Sequence, residues 1–547
     1  MTGNRELGSF QKIPGYQGRG HSRAEKTRWR KADRIPELNS DIEPLAKTGA
    51  VRVVKHTRSL LLISSAAALL AGCALGPNFE RPAPPNLTQY TVTPLPAETE
   101  SADTIAGDAQ RFLQDADVPG RWWLLFGSPA LDRLEQEALR SNPDIETAQA
   151  NLRQAHENYL AQQGQIFPQL NASATIAREQ TSANGRSVGG PFDLFSAGPS
   201  VSYTADVFGG IGRAIEAQAA VEENSRFQLE ATYLTLTSNV ITTAIQAAAL
   251  SAQIAATQDI IAAQAQELDL LNQQFQLGAV ARGDVLAQQS QLAATQATLP
   301  PLQKQLEQTR NTLTILTGRF PSEDQIPDIQ LADLQLPTNL PLSVPSKVIE
   351  QRPDIRAAEA LMHQASALIG VADANMFPQF TVSASVTNTS NFLSNFFLGN
   401  AGWQLAAGLT APIFRGGTLR AQERAAYNVF DRTAAQYKST VLNAFANVAN
   451  VLTALSLDAE TLKTQLYAEQ TAEQNLEITQ ERFQAGAIAY ITLLDAQRTY
   501  EQARISLVIA QSNRFSDTVA LFQSLGGGWW NRQDAPEFKN PGVASSQ

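Results

Sequence analysis

Cysteine is almost absent: 547 residues contain one, Cys73. No intramolecular disulfide framework can form, and a Cys-based zinc site lacks its ligands. Histidine is nearly as scarce, with four copies. His21 and His56 precede Cys73, and His156 and His363 have no nucleophile or metal-ligand partner at meaningful spacing. Gly-x-Ser-x-Gly, His-Glu-x-x-His and phosphate-loop patterns are missing as well, so the sequence offers no catalytic, metal or cofactor site. Surplus positive charge is also lacking, with 42 Lys plus Arg against 52 Asp plus Glu. Residues 1–58 hold 13 of the basic and 6 of the acidic side chains, leaving 29 basic against 46 acidic from Cys73 onward. That balance argues against a nucleic-acid partner. Proline, finally, is absent between Pro199 and Pro300 and between Pro412 and Pro536. Both stretches are rich in Ala, Gln, Leu and Glu, and helix can run through them unbroken.

The N-terminal region reads as an address. Arg52, Lys55 and Arg58 precede an apolar run from Leu60 to Leu70, too short to span a bilayer but suited to the core of a secretory leader. The run ends in Leu70-Ala71-Gly72-Cys73, which resembles the bacterial lipobox, whose Cys is lipidated and becomes the first mature residue. Ala74 stands where an inner-membrane retention signal would place Asp, implying sorting to the outer membrane. Residues 1–72 are accordingly a leader, in which 1–50 point to an over-long start with Val51 as the initiating residue. From 73 to 119 a Pro-rich, acidic stretch reads as a lipidated tether lying against the body.

The body is written twice. Asn142-Pro143-Asp144-Ile145 returns as Arg352-Pro353-Asp354-Ile355, and Phe167-Pro168-Gln169 returns as Phe377-Pro378-Gln379, both at an offset of 210. Phe275-Gln276-Leu277-Gly278-Ala279 returns as Phe483-Gln484-Ala485-Gly486-Ala487 at 208. Two long copies are halves of one architecture rather than a solenoid. The halves span 120–318 and 347–526, joined by an equatorial linker at 319–346 and followed by a tail at 527–547.

Each half opens with a helix after its Pro-Asp-Ile start. The hydrophobic period then falls to two. Leu170, Ala172, Ala174 and Ile176 pair in pattern with Val201, Tyr203, Ala205 and Val207; Phe380, Val382, Ala384 and Val386 do so with Trp403, Leu405, Ala407 and Leu409. These are hairpins of roughly ten-residue strands, long enough to cross a membrane when tilted. The alternation alone fits a soluble sheet equally well; the lipobox favours the membrane, and four strands close a barrel only if several chains pool them. Helices of some 66 residues follow, from about Gly212 to Leu277 and from about Leu419 to Ala485. Ile254, Ile261, Leu268 and Phe275 carry a heptad whose counterparts are Leu462, Leu476 and Phe483, with Glu469 interrupting. The Phe-x-x-Gly-Ala breaks turn each chain back into a second helix ending near Leu316 and Leu525.

Together, several motifs resemble the outer-membrane factor (TolC-type) family in its NodT-like lipoprotein branch. They are Trp122-Trp123 with Phe126 and Leu131, the two Pro-Asp-Ile starts, Phe-Pro-Gln twice, Asp206-Val207-Phe208-Gly209, Pro412-Ile413-Phe414-Arg415-Gly416-Gly417, Tyr490 to Arg498 and Leu525 to Trp529. The resemblance implies mixed α and transmembrane β structure: a homotrimer forming a twelve-stranded β-barrel continued by a long α-helical coiled-coil barrel. It further implies a periplasmic adaptor, an inner-membrane pump of the resistance-nodulation-division (RND) type, and efflux of small molecules across the outer membrane. A type I secretion duct and a non-conducting coiled-coil lipoprotein are the alternatives.

The halves differ at their tips. Ile491 and Asp495 stand where the first copy has Gly283 and Ala287, one helical turn apart. The resemblance places apolar and acidic rings at a periplasmic aperture there, with Arg498 alongside, and gives the turns at Gly278, Ala279, Gly486 and Ala487 to the adaptor. Asp495 pairing with Arg498 as an ordinary surface pair is the competing expectation. The only cofactor-like group implied is the covalent lipid on Cys73. Replacing it, Cys73→Ser, is expected to abolish acylation and processing; incorporation of labelled fatty acid persisting in that variant rejects the assignment.

Overall fold

The computed structural model describes residues 74–532 apart from 181, 184, 185, 188, 189, 324, 399 and 400; the leader, Cys73 and residues 533–547 lie outside them. In chain order the elements are β1 (Arg111–Gln114), α1 (Pro129–Ser141), α2 (Pro143–Gln163), β2 (Gln169–Glu179), β3 (Ser182–Ala183), β4 (Arg186–Ser187) and β5 (Phe192–Ala205). Then come α3 (Gly210–Gln276), α4 (Arg282–Leu316), β6 (Asn339–Leu342), α5 (Pro345–Gln351), α6 (Pro353–Ala374), β7 (Gln379–Ser390), β8 (Ala401–Thr410), α7 (Thr418–Gln484) and α8 (Tyr490–Ser524).

The duplication is explicit in how helices begin and end. Asn142 caps α2 by accepting from the Asp144 N–H at 2.8 Å and donates its Nδ2 to the Leu316 carbonyl, at the end of α4, at 2.9 Å. In the second half Arg352 does the same work with different chemistry, donating to the Ser524 carbonyl at the end of α8 at 2.8 Å. Gly318 and Gly526, each at positive φ, sit against the Ser141 and Gln351 carbonyls so closely that a Cβ would overlap them. Helix start and helix end are thereby clasped twice in the same way. α3 and α7 are 67 residues each, about 100 Å at 1.5 Å per residue.

In α7 Leu462 and the interrupting Glu469 are buried on the expected seam, and Leu476 and Phe483 are half-buried. In α3 the seam is rotated: Thr257, Gln264 and Leu271 are buried, while Ile254, Ile261 and Leu268 are only half covered and Phe275 is exposed. The cause is that α3 packs on α8 as well as on α4, so a second face is covered. Pro300 and Pro301 do not end α4, which runs through them to Leu316.

A core of aromatic and aliphatic side chains sits at the waist. Trp122 stacks on Phe522 at 5.0 Å, Phe126 meets Phe515, and Leu131, Leu313 and Leu340 close around them. Strands β1 and β6 pair in parallel there, a connection between the N-terminal segment and the linker that residue patterns did not indicate. The tether is laid along the body as expected. Arg213 donates to the Leu75 carbonyl and the Asn78 side chain, Phe79 stacks on His363, and Arg81 pairs with Glu359 at 2.6 Å. His156 and His363 lie between helices against Glu222 and Glu216.

Fully buried Arg514 of α8 donates to the carbonyls of Leu455 on α7 and of Asp108 on the tether, each at 3.0 Å. Beside it, burial and a hydrogen bond shared with Asp458 hold the Asp517 carboxyl protonated far above the ordinary carboxylate range. The unfolded chain gives up that proton near pH 4. Above that pH the native state binds the extra proton, so this group's contribution to stability is greatest in acid and falls as pH rises toward the native pKa. The melting temperature is expected to fall between about pH 4 and 8, and Asp517→Asn to make that slope shallower, the remainder coming from other buried carboxyls such as Glu135, which burial also pushes up. An unchanged slope in the variant refutes the assignment.

Candidate functional site

The four long strands form one antiparallel sheet in the order β2-β5-β7-β8, with 11, 14, 12 and 10 residues. Register aligns the two faces across all four. Leu170, Val201, Ala384 and Leu405 form one row; Tyr203, Val382 and Ala407 the next; Ala205, Phe380 and Leu409 the third. The opposite face carries Asn171, Ser200, Ser385 and Gln404, then Ser202, Ser383 and Ala406. Among the described residues no element covers the apolar face: Trp403 is 80 % exposed, and Leu170, Ile176, Leu405 and Leu409 are also open. A soluble sheet would bury that face, so the arrangement is that of a wall with hydrocarbon on one side and water on the other. At the lower end of β5, Asp206 accepts from the N–H groups of Ile211 and Gly212 at 3.0 and 2.7 Å. Its carboxylate fills the start of α3, and the Phe208 to Gly212 segment is a turn as expected.

At the far end of the helices both breaks adopt the same geometry. The Ala279 N–H reaches the Gln274 carbonyl and the Ala487 N–H the Arg482 carbonyl, at 2.9 and 2.8 Å, with Gly278 and Gly486 at positive φ. All four turn residues, Gly278, Ala279, Gly486 and Ala487, are exposed. A small core of Leu271, Val285, Tyr490, Leu493 and Leu494 joins the hairpins, with Phe483 edge-on to Tyr490. Ile491 projects from this core and is 63 % exposed; Asp495, one turn on, is exposed on the same face. Arg498 does not turn to Asp495. It donates to Gln291 Oε1 on α4 at 2.7 Å, and among the described residues Asp495 has no ion-pair partner.

Arg498 is one member of a polar network that residue patterns missed. Gln264 of α3 and Gln291 of α4 both donate to the Glu501 carboxylate of α8. Tyr490 donates to Gln288 at 2.5 Å, and Gln288 donates to the Gln264 carbonyl at 2.9 Å. Burial pushes the Glu501 and Glu267 carboxyls upward, against the lowering effect of their amide partners. A signal for the network existed in the repeat: at an offset of 208 the counterparts of Gln264, Gln288 and Glu501 are Ala472, Ala496 and Ala293.

Two stretches, 134–319 and 344–527, match the outer membrane efflux protein family. The chain belongs to that family. The toluene efflux pump outer membrane protein TtgC of Pseudomonas putida is 28 % identical over 480 residues, covering 87 % of this chain and 97 % of its own. The pyoverdine export outer membrane protein OpmQ of Pseudomonas aeruginosa is 31 % identical over 449 residues, covering 80 % and 94 %. Among solved structures, the outer-membrane channel OprN superimposes with a TM-score of 0.75 at 25 % identity, covering 84 % of this chain and all of its own. The protein is thus an outer membrane efflux protein, a channel rather than an enzyme, and the outer-membrane component of an efflux system. Its duplicated strand-and-long-helix architecture is that of outer-membrane channels.

In such a channel the exposed apolar face meets lipid. Cysteines placed singly at Thr381 and Ser383 are expected to react with a water-soluble thiol reagent in intact membranes, while those at Trp403 and Leu409 stay unlabelled. Equal labelling of both sets contradicts the wall.

Proposed function

We propose that three copies assemble into a continuous duct that takes small molecules from a periplasmic adaptor and an RND-type inner-membrane pump to the cell exterior. The open sheet carries this reading. Edges at β2 and β8 are unpaired in one chain, and an open edge is not tolerated in hydrocarbon. Two copies would give eight strands, whose interior is filled by side chains; three give twelve and leave a lumen. The repeat supplies the joint. Within the chain α3 packs on α6 and β5 pairs with β7. The equivalent faces, α7 against the neighbour's α2 and β8 against its β2, are those left open. Tyr427, Leu442, Leu457, Tyr467 and Ile478 of α7 are exposed, as that joint requires.

At the periplasmic end, three Ile491 and three Asp495 side chains form stacked rings that close and charge the aperture, with Arg498 holding α8 to α4 behind them. Opening requires α7 and α8 to leave α3 and α4, and the Gln264, Gln288, Gln291, Glu501 network is what resists. Gly278, Ala279, Gly486 and Ala487 form the outermost surface of both hairpins and are offered to the adaptor. The lipid on Cys73 fits the same arrangement. Ala74 packs against Gly209, and the Leu75 N–H bonds to the Phe208 carbonyl at 3.2 Å, at the membrane edge of β5, where an acyl chain would enter the bilayer.

Replacing Ile491 and Asp495 together by Ala is expected to raise resting conductance in planar bilayers several-fold and to admit large antibiotics, with trimer yield unchanged. Wild-type conductance in an assembled double variant overturns the gate. An adjacent ATP-driven exporter that alone restores transport would reassign the duct to type I secretion.

A further inference from the structure

The outward face of the wall changes character near the top of the second hairpin. On the first hairpin the row Ile176–Phe195 is apolar and is bounded above by the ion pair Arg178–Asp193. Continued across the sheet, that row reaches Ser390 on β7, and the row below it, Ala174–Ala197, reaches Asn388. Two polar side chains therefore sit on the lipid-facing side, where the neighbouring hairpin is still apolar. From Phe380 to Ser390 is about 34 Å along the strand at 3.4 Å per residue, or about 26 Å when tilted by ~40°, the height of an outer-membrane apolar band. Asn388 lies inside that band and Ser390 at its upper edge.

Both are occupied by the loop that follows. Asn388 donates its Nδ2 to the Phe396 carbonyl, and Ser390 Oγ donates to the Phe392 carbonyl at 2.9 Å while accepting from the Phe392 N–H at 3.2 Å. These bonds tie the short helical turn Leu393–Leu398 to the outside of the wall rather than to the lumenal face. Its side chains and Phe392 before it then point away from the protein: Phe397 and Leu398 are 84 % and 79 % exposed, and Phe392 and Leu393 about two-thirds. A loop in water would have no reason to display four large apolar groups together.

We infer that residues 392–398 are a lipid-inserted patch that completes the apolar band where β7 turns polar, with the outer-leaflet acyl chains as its partner. The loop removes two strand side chains from hydrocarbon by hydrogen bonding and replaces them with Phe and Leu. Continuity with the lipid-facing rows selects acyl chains over a plug across the mouth, since Asn388 shares its face with Val386 and Trp403. The inference rests on reading the four strands as a bilayer-spanning wall.

The test is a nitroxide on a cysteine at Phe397 in the full-length, lipidated protein reconstituted in lipid vesicles, compared with labels at Trp403 and Ser383. Collision with oxygen and with a water-soluble nickel chelate is measured at each site. The expected result is oxygen access without nickel access at 397 and 403, and nickel access at 383. If 403 and 383 behave so but 397 is reached by nickel, the loop stands in water. If 397 is reached by neither reagent, it is packed against protein, as in a plug or subunit seam. Either result overturns the inference and leaves the wall intact; failure at 403 and 383 overturns the wall itself. In an Asn388→Ala background that retains the 403 signature, the label at 397 is expected to become nickel-accessible, and an unchanged profile there overturns the tethering role.

Discussion

Backbone groups at the edge of a sheet must find hydrogen-bond partners, and hydrocarbon provides none. From that requirement follows most of what this chain is. Its four membrane strands leave the outer edges of β2 and β8 unpaired among the described residues, so the chain is complete only in company, and the company must present the same edges. Duplication makes this economical. A chain whose first half already docks onto its second through α3 with α6, and β5 with β7, carries in duplicate the surfaces that bind a neighbour. The exposed flank of α7 and the bare apolar face of the strands are unfinished in one copy for different reasons, one awaiting protein and the other lipid.

The same duplication shows how chemistry can be exchanged while a mechanical role is kept. Asn142 and Arg352 are unlike residues, yet each reaches back to the last carbonyl of the returning helix in its half. Gly318 and Gly526 allow the chain to pass close enough for that bond. These clasps sit beside the waist, where Trp122, Phe515 and Phe522 are packed without solvent. The rigid waist leaves the two ends free to specialise.

Specialisation is visible where the copies part. At the tip the first hairpin supplies amides from Gln264, Gln288 and Gln291, and the second supplies Tyr490, Arg498 and Glu501. Such a seam is held by hydrogen bonds between partly buried polar groups, which can be exchanged for water more readily than an apolar core can be pulled apart. Ile491 and Asp495 are exposed beside it, and among the described residues the Asp495 carboxylate has no ion-pair partner. On the proposed reading, this is the seam that parts when the aperture opens.

How much of this was legible beforehand varied with how local the cause was. The 67-residue helices were readable to within two residues because Pro is absent and each ends at a glycine turn; the four strands were readable by their alternation, but β5 begins at Phe192, nine residues before the Val201 where alternation located it, and ends at Ala205, before Val207. The duplication and the family resemblance were written in motifs. The pairing of β1 with β6, the rotated seam of α3, the bond from Arg498 to Gln291 in place of Asp495, and the fold of 392–398 over the outside of the wall were not. Each of these depends on which distant segment occupies one face of an element. Periodicity fixes that an element has a face to cover, but only the packed chain decides what covers it.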